Sequence, residues 1–166
     1  MISSELVTET WQRVASTEDD EAQMLIEQMT DEQPLLLAYL MAMGEQEPFD
    51  DHEGQMLFYL GLVVWQIMRE CPTGLAEVTP EILELSEQEN EKLLERLAGE
   101  DEESWERAFA SLLAEYPEPE VLRYIVHALV DEEDYEEGDD PPMREECRSA
   151  AFLDLKTVLD ALIASV

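Results

Sequence analysis

Residues 50–69 read DDHEGQMLFYLGLVVWQIMR, and this stretch decides the fold. It opens with Asp50 and, three residues on, Glu53, the spacing with which a helix satisfies its first free amides. From Met56 to Met68 only Tyr59, Gly61 and Gln66 are not plainly apolar. A helix with no polar face has to be surrounded by other helices. It is not a membrane span, because Gln66 interrupts it and a bilayer needs about 20 apolar residues. Gly61 lowers helix propensity by on the order of 1 kcal/mol, a loss offset if a neighbouring helix approaches closely there.

The flanking sequence supplies the neighbours. Before the stretch, Leu35 to Met43 is almost wholly apolar, entered by Thr30, Gln33 and Pro34, read as a capping box and an early proline, and closed by Gly44 as a C′ stop. Further back, Leu6, Val7, Thr10, Trp11 and Val14 fall on one helix face. Thr17 and Asp20 read as the cap of a short helix carrying Met24, Leu25 and Met29. After the stretch, Cys71-Pro72-Thr73-Gly74 is a break. Thr79-Pro80 is an N-cap with proline at the first helical position. Ser86 and Glu89 read as another capping box, with Gly99 closing that helix. Asp101 or Ser104 opens a helix whose stripe is Trp105, Ala108, Phe109, Leu112 and Leu113; Pro117 and Pro119 punctuate before Val121–Val130. The last helix carries Phe152, Leu155, Leu159, Leu162 and Val166 at spacings of 3, 4, 3 and 4.

The fold expected is all-α: a compact array of about eight helices around the central apolar helix, in one domain over 1–166, with an acidic, flexible loop at 131–142. The alternative architecture is a short α-solenoid, against which stands the lack of any residue set repeating at a fixed period. Composition agrees: 23 Leu, 30 Glu and only 6 Gly favour helix, and 45% hydrophobic residues exceed what a disordered acidic chain carries.

Charge bounds the function. The chain holds 42 Asp plus Glu against 9 Lys plus Arg, a net charge of −33, far beyond the roughly 2–8 that keeps a small domain soluble. Residues 1–83 carry 17 acidic and 2 basic side chains, and 84–166 carry 25 and 7. The bases look locally absorbed, with Glu9–Arg13, Glu103–Arg107 and Asp140–Arg144 all at i,i+4 with the acid first. No basic cluster exists for phosphate, which excludes direct binding to nucleic-acid backbones. Cys71 and Cys147 lie far apart and read as two reduced thiols, and the N-terminal stretch has no basic leader, so a soluble, cytoplasmic protein is expected.

The densest acidic stretch is Asp131, Glu132, Glu133, Asp134, Tyr135, Glu136, Glu137, Gly138, Asp139 and Asp140. Its bland reading is a solvated loop, and its functional one a docking site for a basic protein or a divalent-ion site. An EF-hand is excluded: with Gly138 sixth, Tyr135 stands third and Arg144 twelfth, where carboxylates are needed. The second acidic zone, Glu100 to Glu103, complements a helix N-terminus. His52 is read as a surface residue of a capping turn and His127 as a half-buried structural one. Trp11, Trp65 and Trp105 are read as core anchors. Met24, Met29, Met41, Met43, Met56 and Met68 are read as core filler rather than an adaptable groove.

GxSxG, P-loop and GxGxxG motifs are absent. No catalytic, cofactor-binding or metal-ligating residue is therefore assigned, and no cofactor. The function expected is non-enzymatic binding of a basic protein partner through the acidic surface, as an adaptor, immunity or chaperone-like protein, with Asp131, Glu132, Glu133, Asp134, Glu136, Glu137, Asp139 and Asp140 as contact residues. The alternatives are a DNA mimic, whose carboxylates imitate phosphate spacing, or an enzyme using a carboxylate-bound divalent metal. A further reading takes the acidity as adaptation to a salty interior.

Overall fold

The computed structural model of the chain describes residues 1–97, 102–130 and 143–166. The described residues form eight helices and no strand: α1 (Ser4–Ala15), α2 (Asp19–Glu32), α3 (Pro34–Gly44), α4 (Asp51–Arg69), α5 (Pro80–Leu97), α6 (Glu102–Glu115), α7 (Pro119–Val130) and α8 (Glu145–Ala164). The protein is all-α. Asp50 and Glu53 form the reciprocal capping box at the start of α4, and Thr79 Oγ1 accepts from the Ile82 amide at the start of α5.

Helix α4 is buried at Leu57 and without interruption from Leu60 to Met68. It packs against α1, α3, α7 and α8. Helix α8 is buried comparably, through Cys147, Ala151, Leu155, Val158, Leu159, Ala161 and Leu162, and packs against α3, α4, α5 and α7. The core is thus built on two helices rather than one. Contacts between helices distant in sequence also set the fold apart from an α-solenoid, where each unit touches only its neighbours. Gly61 lies against Leu40 of α3: a Cβ there would stand 2.7 Å from Leu40 Cδ2 and 3.1 Å from Cγ.

Several boundaries differ from the sequence reading. Thr17 does not cap α2. Its hydroxyl donates to the Val14 carbonyl at the end of α1, and Glu18 holds the N-cap position of α2 without a side-chain cap bond. Thr30 lies inside α2 and bonds back to the Ile26 carbonyl. Gln33, expected to cap, is buried and reaches across the molecule instead: Nε2 donates to the Ala76 carbonyl at 2.9 Å, and Oε1 accepts from the Val78 amide at 2.9 Å. That grip pins residues 76–78, where the Ala76 amide also donates to the Ser165 carbonyl at 2.8 Å. Pro34 then opens α3 at its first position.

Gly44 is not a left-handed stop, since only Gly74, in the break after α4, has positive φ (+83°) among the described residues. Gly44 and Gly54 instead meet backbone to backbone: a Cβ on Gly44 would lie 3.0 Å from the Gly54 carbonyl oxygen. Ser86 does not start a helix. It is buried within α5, which runs unbroken from Pro80 to Leu97. Gly99 and Asp101 lie outside the described residues. In the last helix the expected stripe is too narrow and too long: Val166 is exposed, while Thr157 and Val158 beside the stripe are buried.

Candidate functional site

The acidic run offered as the contact surface, Asp131 to Asp140, lies outside the described residues, as does the loop reading of 131–142. The described chain resumes at Met143, which is buried, and Arg144. Arg144 pairs with Glu53 in the capping box of α4, and the Asp140 pairing that its spacing implied lies outside the described residues. Glu53 is 2% exposed. Its Oε1 accepts from Arg144 Nη2 at 2.7 Å, from Nε at 3.0 Å and from the Asp50 amide at 3.1 Å, and Oε2 accepts from the Arg144 amide at 3.0 Å. Arg144 Nη2 also donates to the Pro48 carbonyl at 2.8 Å. The guanidinium foremost, with the two amides, holds the Glu53 carboxyl down at about 2, against the opposing effect of burial. The arrangement ties the loop before α4 to the start of α8. Cys147, packed beneath it, has its thiol pushed up chiefly by burial.

A second polar cluster lies between α5 and α8. Lys156 is 7% exposed, and its Nζ donates to Asn90 Oδ1 and Asp160 Oδ2, both at 2.8 Å. Asn90 Nδ2 donates to Thr157 Oγ1 and Asp160 Oδ2, both at 3.0 Å. The Tyr116 hydroxyl donates to Asp160 Oδ1, and the ammonium sits 5.3 Å from the Tyr116 ring centre. Burial, then the Asp160 charge, raises the Tyr116 hydroxyl. Each charged group here has a counter-charge and further partners, which is how a buried ion pair persists. The cluster is a satisfied structural network. Its sequence signal was slight: a lysine amid apolar residues with its acid four positions later, the less favoured order on a helix.

Asp154 on α8 faces Tyr39 on α3, whose hydroxyl donates to its Oδ1 at 3.5 Å. Burial, with the Glu87 charge adding and the tyrosine hydroxyl opposing, pushes the Asp154 carboxyl up to about 7. Glu87 is itself raised, first by burial and then by Glu91 and Glu84.

An open cleft of about 540 Å3 lies where α2, α3 and the start of α4 meet. Ile26, Leu37, Met41, Phe49 and Phe58 form its apolar lining, and Glu45 and Asp51 stand at its edge. Gly44 and Gly54 also line it, where the lack of side chains lets the backbones of the two helix ends come into close contact. Met41 is 53% exposed and Met24 60% exposed, which corrects their reading as core filler; Met29 and Met68 are buried as expected.

The remaining residues singled out in the sequence do not converge. His52 sits in the first turn of α4, and His127, expected half-buried, is exposed on α7 because the buried face of that helix is Val121, Leu122, Ile125 and Leu129. Trp65 is fully buried, Trp11 is 37% exposed, and the Trp105 side chain lies outside the description. Among the described residues, no three His, Cys, Asp or Glu side chains come together as a metal site, and no helix is long and apolar enough to cross a membrane. Arg13 bonds Glu70 at 3.4 Å rather than Glu9, whereas Arg107 bonds Glu103 at 2.8 Å as its spacing implied. Set beside known protein families, curated proteins and solved structures, the chain matches none.

Proposed function

We propose that this is a non-enzymatic, cytoplasmic, single-domain protein that binds a basic protein partner through its acidic surface. One observation carries the reading. Between Arg13 and Arg69 the chain contains no Lys or Arg, yet it presents exposed acids on α2 and before α4. Five bases from Arg69 onward are already committed to acids: Arg69 to Glu32, Arg107 to Glu103, Arg123 to Glu120, Arg144 to Glu53 and Lys156 to Asp160. With 42 acids against 9 bases, most carboxylates are left without a base to match them. A field of one sign steers a partner of the opposite sign and raises its on-rate. The acidic run 131–140 adds to that field by composition alone.

The test is affinity capture from the host lysate at low salt, a high-salt wash, mass spectrometry, and titration of the purified retained protein. The Debye length shrinks from about 10 Å at 0.1 M to about 3 Å at 1 M salt, so long-range attraction between exposed charges is lost over that range. A basic protein held at low salt, released by the wash and bound again in pure form is the expected result. Retention of no protein at low salt, or binding indifferent to salt, overturns the proposal.

A further inference from the structure

We infer that the cleft between α2, α3 and α4 docks the apolar face of a basic amphipathic helix belonging to the partner, an inference that rests on the acidic-surface reading above. The lining is the first argument. Ile26, Leu37, Met41, Phe49 and Phe58 offer side chains of several shapes around one opening, and Met41 keeps half its surface in water. Methionine is unbranched and polarisable, suited to receiving an apolar side chain of unspecified shape. A volume of about 540 Å3 falls within the roughly 300–1,000 Å3 of cavities that take a compact apolar group.

Charge selects the occupant. Glu45 and Asp51 border the opening, and Glu47 and Asp50 are exposed in the same loop. Arg144, the cation reaching this loop, is engaged by Glu53 and the Pro48 carbonyl. A segment with apolar residues on one face and Lys or Arg flanking them satisfies both floor and rim. The walls are helices, so no free sheet edge invites an extended strand, and a helix laid in a groove is the matching mode. A second copy of this chain is disfavoured as occupant, since it brings its own charge of −33 to an acidic rim.

The probe is a synthetic peptide with leucines on one helical face and lysines elsewhere, set against a scrambled isomer of identical composition and charge. Binding to the full chain is measured by calorimetry at low salt, and the methionine and isoleucine methyls are followed by NMR. The expected result is that the amphipathic peptide binds about tenfold tighter than its isomer, shifts the Met41 and Ile26 methyls, and loses that preference in Met41→Gln/Ile26→Gln. Those two positions are solvent-facing, so the double variant folds, which its circular dichroism verifies, and as a neutral change it leaves the isomer's binding intact. Equal binding of both peptides with unmoved methyls overturns the cleft while the acidic-surface reading stands. Failure of both peptides to bind at low salt overturns both. Methyl shifts that appear on concentrating the protein alone make a second copy the occupant and overturn the inference.

Discussion

Replacing Gly61 by alanine sets two known effects against each other. Alanine in a helix interior is favoured over glycine by about 1 kcal/mol. The added methyl, however, would lie 2.7 Å from Leu40 Cδ2 and nearer still to Cδ1, well inside van der Waals contact. Leu40 is fully buried, so its side chain has little room to turn away, and an extra methylene in a packed core costs about 1–3 kcal/mol. Gly61→Ala is therefore expected to lose up to about 2 kcal/mol net. Leu40→Ala alone removes buried methyls and costs about 2–5 kcal/mol. In that background the Gly61→Ala methyl meets no leucine, fills part of the space and recovers the propensity gain. The double variant should thus be more stable than Leu40→Ala by about 1 kcal/mol, giving a coupling of about 1–3 kcal/mol. Urea unfolding of the four proteins, followed by circular dichroism and tryptophan fluorescence, measures it. Unchanged slopes would confirm that stability alone has moved. If Gly61→Ala has the same effect in both backgrounds, the contact between α3 and α4 at this point is not what requires glycine.

Three further outcomes follow from the polar clusters. The Asp154 carboxyl, raised from 3.8 to about 7 in the fold, binds more protons folded than unfolded between those values, so its contribution to stability falls as pH rises through that window. Asp154→Asn should then gain on the wild type by on the order of 3–5 kcal/mol at pH 8 and by little at pH 4, and an equal gap in urea midpoints at both pH values sinks the reasoning. Glu53 has the opposite sign: held at about 2 against 4.5, it stabilises above pH 4.5 and loses that contribution as pH falls toward 2. Glu53→Gln should therefore unfold more readily than wild type at pH 7, by less than the roughly 3–5 kcal/mol of a fully buried pair because Arg144 is half exposed, and the two should converge below pH 2. In the inner network, Asp160→Asn leaves the buried Lys156 ammonium without a counter-charge, whereas Lys156→Met leaves Asp160 its donors Tyr116 and Asn90. Asp160→Asn should have the lower melting temperature of the two, and the reverse order would show that the ammonium is not the group in need.

The sequence was most legible where its signals are local. The capping box of Asp50 and Glu53, the Thr79-Pro80 start and the turn at Gly74 are settled by residues three or four apart, and all stand where they were expected. The same local logic failed at Thr17 and Thr30, whose hydroxyls bond back to carbonyls three and four residues earlier rather than cap, and at Ser86, which is buried inside an unbroken α5. Of the candidate site, composition showed the sign of the surface but not the cleft. Met41 lies in an apolar run whose residues are equivalent by composition, and only the packing of α3 against its neighbours leaves it facing water.

By itself, then, the chain determined that it would be helical, that the apolar stretch of 56–68 would contribute to the core, and that its net charge would be strongly acidic, since each follows from propensity, periodicity or charge summed over near neighbours. Tertiary structure alone decided the pairings between bases and acids distant in sequence, Arg13 with Glu70, Arg69 with Glu32 and Arg144 with Glu53. The Arg144 guanidinium closes on Glu53, 91 residues away, where a buried carboxylate gains more from a cation than a solvated one does. It also decided that Gln33 would grip the Ala76–Val78 backbone rather than cap its own helix. A buried amide takes whichever partners packing brings within reach, and no spacing along the chain records that choice.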